Sequence, residues 1–153
     1  MKTHIIWIEG CPLVTPKGYT PKYGKLNDFP NCCGAGEGFG EKIIPETSYG
    51  LRISAACQIH DISWEEAEAT WEAFHQTNAM FLLNTLSIIR GKSANKLTRS
   101  VRNYRAMTYY VAVEEAGPKG FWDLKVEQGK IKPEESPFYK EKKDNIDGYG
   151  DIY

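Results

Sequence analysis

Cys57-Gln58-Ile59-His60-Asp61 sets a thiol, an imidazole and a carboxylate within five residues. On a helix, Cys57 and His60 lie near one face, and Asp61 points about 100° around the axis. One turn of helix can then serve two neighbouring tasks. The imidazole can take a proton near neutral pH, and the adjacent carboxylate can hold a hard cation through oxygen. Upstream, Cys32-Cys33-Gly34-Ala35-Gly36-Glu37-Gly38-Phe39-Gly40 has glycines that let several carbonyl oxygens turn toward one point. Such a loop can offer backbone ligands to calcium. A different chemistry uses the same residues: Cys32 or Cys33, Cys57 and His60 are the ligand types of a structural zinc site, although the double-knuckle spacing is absent.

The elements that must position these groups follow from where glycine and proline stop. Up to Gly50 the two recur at short intervals, which predicts connected loops with short strands such as 4–9. From Ser54, a plausible N-cap, a short helix is expected with His60 and Asp61 near its end. Ser63-Trp64-Glu65-Glu66 fits a capping box and predicts a second helix running to Arg90, with Gly91 as its stop. Its apolar stripe runs through Ala67, Trp71, Phe74, Phe81 and Ile88. Asn78 interrupts that stripe and, if buried, requires a polar partner such as His60. His75 reads as a surface residue. A third helix over 94–116 carries Leu97, Val101, Tyr104, Thr108 and Val111 on one face, and Gly117-Pro118 ends it. Lys92, Lys96, Arg99, Arg102 and Arg105 recur near its start, as a solvated face or a surface for anionic headgroups.

The 153 residues suit one domain, divided as a loop-rich segment 1–53, a helical core 54–122 and a polar tail 123–153. With 41% hydrophobic and 25% charged residues the composition is that of a globular protein, and a net charge of −1 gives no reason to expect nucleic acid. Ile5-Ile6-Trp7-Ile8 is too short for a signal peptide's apolar segment, and no stretch approaches the roughly 20 apolar residues of a membrane-spanning helix. A cytoplasmic or phage-associated protein with peripheral membrane contact is the expectation, with release outside the cell left open. The sequence leaves the oligomeric state open.

Cys33-Gly34-Ala35-Gly36 and Cys57-Gln58-Ile59-His60-Asp61 together resemble the secreted phospholipase A2 superfamily, with its Cys-Gly-x-Gly calcium loop and Cys-x-x-His-Asp helix. The wording of Cys33 to Ile44, Ala56 to Asp61, Tyr104-Arg105-Ala106 and Phe121-Trp122 is similar to small phospholipase-like proteins of bacterial and phage genomes. The resemblance spans residues 31 to 122, specifically at the two motifs. It implies a mainly α, phospholipase A2-like fold with two long antiparallel helices. It also implies Ca2+ held by the carbonyls of Cys32, Gly34 and Gly36 and by the Asp61 carboxylate. His60 would activate a water against the ester of a glycerophospholipid at a membrane surface, and the Gly34 amide would help hold the oxyanion. A disulfide would join Cys33 and Cys57. Asn78 stands where the family has the aspartate that orients the imidazole, and Trp64 where many members have a tyrosine. On that reading Asn78→Asp should raise turnover and Asn78→Ala lower it. The remaining alternative is a degenerate member that binds lipid or protein without turnover.

Overall fold

The computed structural model describes residues 1–30 and 47–139. Two strands, β1 (Thr3–Ile8) and β2 (Cys11–Pro16), open the chain as an antiparallel hairpin in which Ile8 pairs with Cys11. Glu9 (φ 49°) and Gly10 (φ 78°) form its two-residue turn, the left-handed pair that matches strand twist. Tyr49 (φ 47°) and Gly50 (φ 77°) repeat the device between β3 (Thr47–Ser48) and β4 (Leu51–Arg52). Alternation along β2 sends Cys11, Leu13 and Thr15 inward.

Four helices follow: α1 (Ser54–Glu66), α2 (Trp71–Lys92), α3 (Lys96–Ala116) and α4 (Pro118–Glu127). The described residues are therefore mainly helical. The helix boundaries differ from the sequence expectation at four points, one of them the C-terminus of α2, where Gly91 does not stop the helix but lies inside it, with Ser93 as the C-cap. α1 does not stop near Asp61 but runs past Ser63, whose hydroxyl bonds back to the Ile59 carbonyl at 2.6 Å and is not free to cap anything. Thr70 caps α2 instead, accepting from the Ala73 amide at 3.1 Å. Ser54 is already helical, with Ile53 at the N-cap position. Pro118 ends α3 and also opens α4, because proline's fixed φ and missing N–H suit a first helical turn. The polar tail expected from residue 123 thus begins with the last five residues of α4.

α2 is the central element. It packs on α1, α3 and β2, and Asn84 fastens it to the hairpin by bonding both the amide (2.7 Å) and the carbonyl (2.8 Å) of Val14. The main core joins Leu13, Phe29, Ile53, Ile59, Phe81 and Ile88, while Phe74, Phe121 and Trp122 form a second cluster, with Trp64 against both. Trp71, expected in the core, is 42% exposed, because its place at the first turn of α2 overhangs the cluster. At the far end of α1, the buried Lys125 ammonium donates to the Trp64 carbonyl, and Lys130 donates to the carbonyls of Glu65 (2.5 Å) and Ala67 (3.1 Å). Two cations on a helix C-terminus satisfy its orphan carbonyls and the negative end of its dipole. Among the described residues, no helix is long and apolar enough to cross a membrane.

Candidate functional site

His60 sits in the middle of α1 facing α2, 8% exposed, under the rings of Trp64 (centroids 4.8 Å apart) and Phe81 (5.2 Å). Its Nε2 lies 2.8 Å from Asn78 Oδ1, so the expected partner across the helix pair is in place. Asn78 is itself fully buried and held twice more: its oxygen accepts from Trp64 Nε1 at 3.1 Å, and its Nδ2 donates to Glu114 Oε1 of α3 at 3.1 Å.

These contacts assign the hydrogens. An indole nitrogen only donates and an ionised carboxylate only accepts, so the amide can have its oxygen nowhere but toward Trp64 and His60. His60 Nε2 must then carry the proton, and Nδ1 keeps its lone pair. Nδ1 is also the nitrogen toward Asp61, whose Oδ1 is 4.0 Å away.

Burial pushes the His60 imidazole down to about 4, against the opposing effects of the Asn78 hydrogen bond and the Glu114 charge. At neutral pH the ring is therefore neutral. Asp61 moves the other way, its carboxyl pushed up by partial loss of water and by the charge of Glu65. Its side chain is still 53% exposed and accepts no hydrogen bond among the described residues. A carboxylate that is reachable, poorly compensated and made of oxygen is what a hard cation relieves.

The remaining predicted ligands, the carbonyls of Cys32, Gly34 and Gly36, and the Gly34 amide lie outside the described residues. So does the expected Cys33 partner of Cys57. Cys57 is disulfide-bonded, and Cys11 is a free, buried thiol. A disulfide sulfur is no thiolate, which removes Cys57 from the zinc set considered above. Among the described residues no three His, Cys, Asp or Glu side chains gather as a metal-binding group.

Sequence reasoning missed two members of this site. Trp64 had a signal, since it stands one turn after His60, but its N–H was not assigned to Asn78. Glu114 had none: it lies 36 residues from Asn78 and meets it only because α3 packs beside α2. His75 is exposed as expected, yet it is not alone, with Nδ1 2.7 Å from Glu114 Oε2. Glu114 therefore joins the buried amide to the surface. Compared with family models, curated proteins and solved structures, the chain matches none.

Proposed function

We propose that the protein is a calcium-dependent phospholipase A2-type hydrolase acting on the sn-2 ester of glycerophospholipids at a membrane surface. The observation that carries this reading is the 2.8 Å contact of His60 Nε2 with Asn78 Oδ1, which leaves Nδ1 as the free base beside Asp61. His60 Nδ1 takes the proton of a water as that water attacks the ester carbonyl. Asn78 holds the imidazole in the required tautomer, and Trp64 and Phe81 keep bulk water from the ring. Asp61 is the side-chain ligand the described residues offer to calcium, which when bound would polarise the carbonyl and stabilise the developing oxyanion.

The depressed basicity of His60 and the neutral amide of Asn78 favour a second reading, a degenerate member that binds phospholipid without turnover. One assay separates the two. Purified protein given a fluorogenic phospholipid should release fatty acid in millimolar calcium and stop in excess chelator. Asp61→Asn should weaken calcium binding at least about tenfold and leave the melting temperature of the calcium-free protein close to the parent's. Equal hydrolysis with and without chelator would remove the calcium mechanism. Calcium and vesicle binding without product would support the degenerate reading.

A further inference from the structure

Nothing in the stability of α3 recommends a carboxylate at position 114. Glu114 stands in the last turn, where the negative end of the helix dipole disfavours an anion, and its side chain is only 19% exposed. Three donors nevertheless converge on it: Asn78 Nδ2 at 3.1 Å, His75 Nδ1 at 2.7 Å and the Tyr110 hydroxyl, one turn earlier on the same helix. A carboxylate accepts from all three, so its charge is held in place.

Asn78 then stands between Glu114 on one helix and His60 on another. Its Nδ2 donates to Glu114 Oε1, and its Oδ1 accepts from His60 Nε2 at 2.8 Å and from Trp64 Nε1 at 3.1 Å. An amide is conjugated, so a negative charge beside its N–H groups pushes electron density toward its oxygen. Hydrogen bonds in series strengthen one another in this way where water is excluded, and here Asn78 is fully buried and His60 nearly so.

We propose that Glu114 is the orienting carboxylate of this site, a positioning residue whose charge reaches His60 through the Asn78 amide. Its consequence for turnover rests on the hydrolase reading above. When Nδ1 takes the proton of the attacking water, the ring becomes an imidazolium whose Nε2–H faces Asn78. The amide moves no proton. Its oxygen, with the carboxylate behind it, stabilises the positive ring until Nδ1 gives the proton to the leaving oxygen as the ester C–O bond breaks. Asp61 does not take this part, because it lies 4.0 Å from Nδ1, on the side where the water and calcium act. The charge that Asn78 lacks is thus supplied one hydrogen bond further out, from α3.

A Glu114 that only satisfies the buried amide would be replaced without loss by glutamine, whose oxygen accepts from Asn78 Nδ2 equally well. In the full chain, Glu114→Gln should keep a melting temperature close to the parent's. Its kcat on the fluorogenic phospholipid should fall about tenfold at unchanged KM, and Glu114→Asp, which keeps the charge, should lose less. A second measurement needs no turnover: the His60 Nε2–H proton resonance of the calcium-free protein should move upfield in Glu114→Gln, as its hydrogen bond to Asn78 weakens. An unmoved resonance would overturn the proposal whether or not the protein is active. In an active protein, so would Glu114→Gln with the parent's kcat. A resonance that moves in a chain without esterase activity would uphold the reach of Glu114 to His60 and remove the hydrolase reading instead.

Discussion

Glu114 changes what an aspartate at position 78 would do. With Asn78 Nδ2 3.1 Å from Glu114 Oε1, Asn78→Asp would set two carboxylates against each other inside the protein. Like charges at that range cannot both ionise, and one would take up a proton. The single substitution that the motif alone recommends is thus expected to leave turnover level or lower. Asn78→Asp with Glu114→Gln returns one charge to the imidazole and gives it an amide neighbour; turnover is expected to rise about tenfold, on the order of one unit of histidine basicity. Kinetics of the parent, both single variants and the pair on one micellar substrate check this. Equal rates in all four would make Asn78 an ordinary buried residue. The His60–Asn78 contact was legible because a buried asparagine in an apolar stripe needs a partner. The Glu114 contact was not, because nothing in sequence spacing relates α2 to α3.

The junctions between helices set the site as much as their interiors do. Gly117 joins α3 to α4 beside Trp64, whose indole holds the Asn78 oxygen. An added Cβ there would press on the Val113 carbonyl and come within 3.1 Å of the Trp64 ring. Gly117→Ala is expected to cost about 1–3 kcal/mol by overpacking and to shift Trp64 fluorescence. Unchanged urea unfolding would show that the junction relaxes freely. Lys125, from α4, caps the end of α1, and burial pushes its ammonium down to about 8. Since its folded value lies below the unfolded 10.5, the unfolded chain binds more protons between those pH values. Stability from this group is flat below pH 8 and rises toward pH 10.5. Compared with Lys125→Met, the parent should gain up to about 3 kcal/mol across that window, read from urea unfolding at pH 7.5 and 10.

For the whole molecule, Cys57 on α1, the helix that carries the site, is disulfide-bonded. If its partner is Cys33, as the resemblance implies, the bridge closes about 25 residues and contributes roughly 3 kcal/mol by restricting the unfolded chain. Cys57→Ser should lower stability by about that amount, and treatment with reductant should lower the parent to the same level. A variant as stable as the oxidised parent would show that α1 and α2 hold the site without the bridge.

The sequence by itself determined the mainly helical class, the first hairpin strand and one long helix nearly to its ends, because periodicity and breakers act within a few residues. It also pointed to His60 as the partner of Asn78, since an asparagine buried in an apolar stripe needs a polar neighbour. Whether Ser63 or Thr70 caps α2 was decided by packing, which buried Ser63 and spent its hydroxyl inside α1. The outward turn of the α3 stripe and the arrival of Glu114 were likewise decided by tertiary structure. A helix's apolar periodicity says that it has a face, but only its neighbours determine which way that face points.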